Sequence, residues 1–276
     1  MKYLFVYNPF SRKGLSIKEI NHIKERFQTD QVSFFKTQGQ GSITEYVSKV
    51  GSDFDFIISV GGDGTLHETV CGILKLEKRP KVGILPRGTM NDVSKDLGYY
   101  SNLDKSIDII KKGNTCLKHV YSINDTYFLY GLAIGRYACV SYNTKNKRQF
   151  GKLSYYFSCL KEYFKSKPTT IVINNQKLKI SQLFILNTAY LAGYKMNKDN
   201  DMHIHVKYIL SKNRFIDTIH FYRFLKSRGK KCVEEMIVDS IEIDSKDLAY
   251  TLDGEKYISS KAYISLLYNH IEVICK

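Results

Sequence analysis

The 276-residue chain is short of several things, and each shortage narrows its function. No apolar run approaches the roughly 18 uncharged residues that a membrane-crossing helix needs. The opening run from Met1 to Tyr7 meets Asn8-Pro9 at once, so it is too brief for a secretory leader and lacks a small-residue cleavage site. The expectation is a chain that starts near Met1 and works in the cytoplasm. Cysteines are few: Cys71, Cys116, Cys139, Cys159, Cys232 and Cys275, with no CxxC pair. That spacing indicates neither a zinc site nor a thioredoxin-like site and leaves buried, reduced thiols. There is no internal repeat, no low-complexity segment and no recognisable DNA- or RNA-binding module, so nucleic acid is not an expected partner.

Acidic residues are also in deficit, 27 against 42 Lys and Arg, for a net charge of +15. The imbalance is uneven. Residues 1–125 hold 18 basic and 14 acidic side chains, a net of +4; residues 126–276 hold 24 and 13, a net of +11. A basic surface suits anionic membranes, nucleotide phosphates or nucleic acid, and also plain solubility. With 43% apolar residues the chain can bury a proper core.

The first part alternates short apolar runs with helical patterns. Strands are expected at Tyr3–Tyr7, Val32–Phe35, Phe54–Val60 and Val82–Leu85. Capping boxes at Ser16–Glu19 and Ser42–Glu45 open two helices, Thr65–Glu68 opens a third, and others begin near Met90 and Asp104. This rhythm predicts a doubly wound α/β domain over residues 1–117. Beyond it, β-branched and aromatic runs at Lys118–Ile123, Tyr127–Leu132, Thr170–Ile173, Leu178–Leu186, His203–Leu210, Met236–Ile243 and Tyr263–Leu267 predict strands. Only Leu153–Phe164 and part of Thr218–Arg228 read as helix. Residues 118–276 are therefore expected to form a mostly antiparallel β-sandwich domain, whose last strand returns to the first domain.

The strongest chemical signal is the third strand running into Gly61-Gly62-Asp63-Gly64-Thr65 and then a helix. Glycines permit positive φ and close approach of a bulky anion, and the helix N-terminus adds its dipole. An aspartate would repel phosphate unless it manages a cation or proton, which points to Mg²⁺-assisted phosphoryl transfer. Asn8–Gly14, Thr37–Gly39 and Pro86–Asp92 fall at the same end of the expected sheet, where ligands of open α/β folds bind.

Together these residues resemble the diacylglycerol kinase catalytic family, in particular its soluble bacterial lipid kinases and the related sphingosine and ceramide kinases. Asn8-Pro9-Phe10-Ser11, Gly61–Thr65, Gly88-Thr89-Met90-Asn91-Asp92, Gly151-Lys152-Leu153-Ser154-Tyr155 and Asp253-Gly254-Glu255 match family motifs in order along nearly the whole chain. The resemblance implies a two-domain kinase with nucleotide in the cleft between the domains. Asn8, Ser11, Thr37, Gly61, Gly62, Asp63, Gly64, Thr65, Glu68, Thr89, Asn91 and Asp92 are then the residues expected around ATP and Mg²⁺. Glu255 is the expected proton acceptor for the substrate hydroxyl.

Some positions depart from the family. Arg12 replaces a glycine, and its guanidinium could instead contact phosphate. Asp201 survives from a structural Mg²⁺ segment in which Met202 and His205 replace a glycine and an aspartate. His203 and His205 read as ordinary strand histidines rather than ligands.

Basic clusters at Lys145–Arg148, Lys161–Lys167 and Arg223–Lys231, the last interleaved with aromatics, suit the inner face of an anionic membrane bearing the lipid substrate. A solvated charged face fits them equally well. A homodimer is an open expectation. An NAD kinase shares the Gly-Gly-Asp-Gly loop, and a non-catalytic nucleotide- or lipid-binding protein would share the fold. The acceptor lipid is not specified.

Overall fold

The computed structural model describes residues 1–9, 11, 14–143, 160–161, 163–196, 202–226 and 232–276. The chain divides into two compact units, residues 1–120 with 268–276, and residues 121–267.

The first unit is built on β1 (Lys2–Tyr7), α1 (Ile17–Arg26), β2 (Gln31–Lys36), α2 (Ser42–Val50), β3 (Phe56–Gly61), α3 (Asp63–Ile73), β4 (Lys81–Pro86), α4 (Asp92–Asp96) and α5 (Leu103–Lys112). Its strands run parallel in the order β2-β1-β3-β4. Leu4, Phe5, Val6, Ile57, Ile58 and Val82 are fully or almost fully buried, as the near-continuous apolar runs of a parallel sheet require. Because β1 lies between β2 and β3, the order reverses there. In open α/β sheets such a reversal, here between β1 and β3, is where ligands bind, outside the carboxyl ends of the strands.

Helix boundaries follow local chemistry in some places and not in others. Ser16 caps α1, and a reciprocal bond from Glu19 completes the expected box. The expected box at Ser42–Glu45 does not form. Gly41, left-handed at φ 83°, is the N-cap of α2, while the Ser42 hydroxyl accepts from the Gln38 amide at 3.1 Å and donates to the Gly39 carbonyl at 2.8 Å. Asn102 caps α5, which ends at left-handed Gly113.

The second unit is mostly antiparallel. Its main strands are β7 (Gly131–Gly135), β8 (Thr169–Ile173), β9 (Gln176–Leu186), β12 (Ile204–Leu210), β13 (Glu234–Val238), β14 (Ser240–Leu252) and most of β15 (Glu255–Ile274). They are joined by the end of β5 (Thr115–Ile123), whose residues up to Val120 belong to the first unit, by β6 (Thr126–Phe128) and by a small hairpin, β10 (Tyr190–Leu191) with β11 (Tyr194–Lys195). The path β13-β12-β9-β7-β14-β15 is hydrogen-bonded throughout. Strands β7 and β8 both pair with β9 and β14, along different stretches of each. Ile134, Ile171, Leu183, Val206, Ile243 and Leu252 fill the core.

Two helices here go beyond the sequence pattern: α6 (Arg136–Asn143) lies where the pattern predicts no helix, and α7 (Arg214–Leu225) starts before Thr218. Asn213 caps α7 through the Ile216 amide at 2.9 Å. The expected single strand Tyr127–Leu132 is broken at Leu129–Tyr130. The end of β15 belongs to the first unit, where Val273 pairs in parallel with Val82 of β4.

Candidate active site

In the first unit, the loops after β1, β3 and β4 are tied together mainly by backbone. The Asn8 amide donates to the Val60 carbonyl at 3.4 Å, and the amides of Arg87 and Gly88 donate to the Gly61 carbonyl at 2.7 and 3.1 Å. Gly62 and Gly88 meet main chain to main chain. A Cβ on Gly88 would stand 2.4 Å from the Gly62 Cα and 2.7 Å from Asn91 Oδ1; one on Gly61 would stand 2.2 Å from Thr65 Oγ1. Gly62 has φ −99°, so close approach and not left-handed backbone is what demands glycine here, which corrects the positive-φ expectation.

Helix α3 starts at Asp63 with Gly62 as N-cap, earlier than the Thr65 start read from the sequence. Gly64 and Thr65 thus lie in its first turn, and the Thr65 and Leu66 amides donate to the Gly62 carbonyl at 3.0 and 3.1 Å.

Asp63 does not simply face outward. Its Oδ2 accepts from the Asp92 amide and its Oδ1 from the Val93 amide, each at 3.2 Å. The loop aspartate therefore caps α4, whose own N-cap, left-handed Asn91, makes no side-chain cap. Asn91 serves the turn before it, accepting from the Gly88 amide at 2.8 Å and donating to the Gly88 carbonyl at 3.0 Å. Thr89 sits half-buried in that turn. Asp92 is fully buried with its carboxylate 3.0 Å from Lys95 Nζ.

Glu68 behaves likewise. Its Oε2 accepts from the Ile43 amide at 3.3 Å and its carbonyl from the Thr44 hydroxyl at 2.9 Å, so it supports the start of α2 rather than boxing its own helix. Buried Thr37 follows β2, its amide donating to the Tyr7 carbonyl at 3.0 Å and its hydroxyl to the Gly39 carbonyl at 2.8 Å. The Ser11 hydroxyl is buried with no hydrogen-bond partner among the described residues.

Arg87 and Glu19 form a support that motif reading missed. Arg87 is buried beside the Gly88 turn, and its guanidinium donates to Glu19 Oε1 at 2.6 Å. Burial pushes the Glu19 carboxyl up, but the Ser16 hydrogen bonds and Arg87 outweigh it and hold the pKa below the ordinary 4.5. The only signal in the sequence was an arginine inside a turn.

In the second unit, Asp253 and Gly254 have φ 50° and 89° and join paired Leu252 and Glu255, as a two-residue hairpin with both central residues left-handed. Asp253 is buried and accepts three amides, from Leu129 at 3.0 Å, Tyr130 at 2.8 Å and Gly131 at 2.9 Å. These bonds occupy the break between β6 and β7. Glu255 opens β15 half-buried.

Other expected features resolve less dramatically. His205 pairs with Glu235 at 2.9 Å and His203, just before β12, with Asp239 at 2.7 Å. Among the described residues no group of three or more His, Cys, Asp or Glu side chains is placed to hold a metal ion. Arg12, Asp201, the Lys145–Arg148 cluster and the Gly151–Tyr155 motif lie outside the described residues. No helix among them is long and apolar enough to cross a membrane.

Residues 2–122 match the diacylglycerol kinase catalytic domain. The chain is 30% identical to the diacylglycerol kinase of Staphylococcus haemolyticus, covering 97% of this chain and 86% of that one. It is also 30% identical to the Staphylococcus epidermidis diacylglycerol kinase, over 97% and 90%. A match to the Staphylococcus carnosus diacylglycerol kinase, at 34% identity, spans 55% of this chain and about half, 51%, of that relative. A solved diacylglycerol kinase from Bacillus anthracis superposes with TM-score 0.73 at 23% identity, a likeness of fold, covering 100% of this chain and 97% of the other. A second Bacillus anthracis structure, of a candidate diacylglycerol kinase, reaches 0.79 at 25% over the same shares. By its relatives matched over nearly the whole chain, with the domain match over residues 2–122 in agreement, the chain belongs to the diacylglycerol kinase catalytic family.

Proposed function

We propose that the protein transfers the γ-phosphoryl group of ATP to the free hydroxyl of diacylglycerol or a closely related membrane lipid, at an anionic membrane surface. The observation that carries this reading is the Gly62–Gly88 contact at the carboxyl ends of β3 and β4. Two glycines, one from each loop, lie against each other beside the first turn of an eleven-residue helix. Such a surface of small residues and amides suits a polyphosphate. Ser11, Thr37, Thr65 and Thr89 supply hydroxyls around the same strand ends, and Asn91 and Asp63 hold the turn that carries Thr89.

Mg²⁺ bound to the phosphates would neutralise charge that builds during transfer. Asp63, a half-buried carboxylate in the first turn of α3, would lie beside the ion's water shell. Glu255 is the proposed base. It would take the proton of the lipid hydroxyl while that oxygen bonds to the γ-phosphorus, the bond to the β–γ bridging oxygen breaks, and ADP leaves.

The test is incubation with labelled ATP and vesicles containing diacylglycerol, with NAD as a competing acceptor. Labelled phosphatidic acid is expected. ATP binding with no labelled lipid under any vesicle composition would overturn the reading, and labelled NADP would redirect it to a small-molecule kinase.

A further inference from the structure

Helix α7 is apolar on two faces. Asp217 and Phe224 are buried on its inner side, where Phe224 stacks on Phe184 at 5.2 Å. On the outer side Phe215, Ile219 and Tyr222 are 75%, 41% and 59% exposed. They follow one another at i, i+4 and i+7, and Lys226 continues the line at i+11, so all four share one stripe. Tyr194, from the β10–β11 hairpin, joins the patch: Lys226 Nζ lies 5.2 Å from its ring centroid and 5.9 Å from that of Tyr222.

Among the described residues of the helix and the hairpin, every exposed charge is a cation. Lys195, Lys212, Arg214, Arg223 and Lys226 are exposed. The single carboxylate between Ser211 and Lys226, Asp217, is turned inward, accepting from the Ser211 hydroxyl at 2.9 Å and the Lys212 amide at 3.0 Å, with Arg136 3.7 Å away. Water is a poor partner for three large apolar side chains in a row. A second copy of the same face would oppose cation to cation. Duplex nucleic acid would meet the cations but offer nothing to Ile219 or the outermost ring, Phe215.

We propose that the outer face of α7, with Tyr194, is the surface that docks on an anionic lipid bilayer: Phe215, Ile219 and Tyr222 enter the acyl boundary while the surrounding cations rest on head groups. The inference takes its purpose from the lipid-kinase reading, but its geometry stands apart from it.

The experiment is flotation with phosphatidylcholine vesicles with and without phosphatidylglycerol, using wild type, the double variant Phe215→Ser/Ile219→Ser and the double variant Arg223→Gln/Lys226→Gln. Wild type is expected to float with anionic vesicles only. The apolar variant should lose about tenfold or more of its partition, and the charge variant about fivefold per removed cation. Both should keep the wild-type melting temperature, because the substituted side chains are exposed. Transfer to a short-chain, fully dissolved diacylglycerol should be unchanged in both, and transfer to vesicle-borne substrate should fall.

Equal partition of wild type and both variants would overturn the proposal. So would salt-sensitive retention on duplex DNA without vesicle binding, or a dimer that the Phe215→Ser/Ile219→Ser change dissociates. If wild type floats through this face yet phosphorylates no lipid in any form, the docking surface stands and the kinase reading fails; the reverse result separates them the other way.

Discussion

The Gly61–Thr65 loop of the first unit and the Asp253–Glu255 turn of the other unit share a sequence feature, an aspartate beside glycine. They differ in how that aspartate is spent. Asp253 is buried and commits both oxygens to three amides of Leu129–Gly131. Asp63 is only partly buried and accepts the Asp92 amide on one oxygen and the Val93 amide on the other. In both units the carboxylate brackets a distant piece of backbone. The lesson is that an aspartate in a chemical motif can be a structural tie first. How far it is buried indicates whether it can also meet a ligand.

The comparison is easiest to break at Asp253. Asp253→Ala leaves three amides without their acceptor, so it should cost about 5 kcal/mol at roughly 1–3 kcal/mol for each. Urea unfolding followed by far-UV circular dichroism, or by tyrosine emission since tryptophan is absent, measures this. A loss below about 1 kcal/mol would remove the structural reading.

Its neighbour should behave in the opposite way. Glu255→Gln is expected to cut transfer by about 10²–10⁴-fold with ATP binding and melting unchanged; unaltered kcat would remove Glu255 from the mechanism. Asp63 should show both behaviours at once. Asp63→Ala is expected to lose about 2 kcal/mol of stability, as for a lost two-amide cap, and its transfer. Asp63→Asn keeps one acceptor oxygen and turns an NH₂ donor toward the other amide, so it should restore at most about half of that stability while transfer stays depressed. Recovery of full transfer in Asp63→Asn would reduce it to a pure tie, like Asp253.

Gly88→Ala tests the loop contact itself. The added methyl must displace the Gly62 main chain, at a cost of about 1–3 kcal/mol, and should raise KM for ATP more than it lowers kcat.

The smallest effect concerns Glu19. Its folded pKa lies below 4.5, so its contribution is present above that value and is lost as pH falls through the depressed one. Against Glu19→Gln, wild type should gain about 1 kcal/mol or less at neutral pH, and the gap should close in acid. A gap that widened below pH 4.5 would contradict the assigned partners.

The sequence by itself determined the parallel first unit and the strand-rich second one, because runs such as Phe56–Val60 and Leu178–Leu186 carry their burial in adjacent residues. It also marked the two glycine turns, since few residues besides glycine fit where Gly62 meets Gly88 or where Gly254 takes φ 89°. Local capping was legible at Ser16–Glu19, where partners are three residues apart, and misread at Ser42–Glu45, where left-handed Gly41 takes over.

Only the tertiary structure decided what the carboxylates hold. Asp63 reaches amides 29 and 30 residues away, Glu68 reaches Ile43 across 25, and Asp253 reaches Leu129–Gly131 across 122–124. No periodicity encodes such pairs. They exist because burial strips water from a carboxylate and from unpaired amides alike, and the fold must then bring the two together.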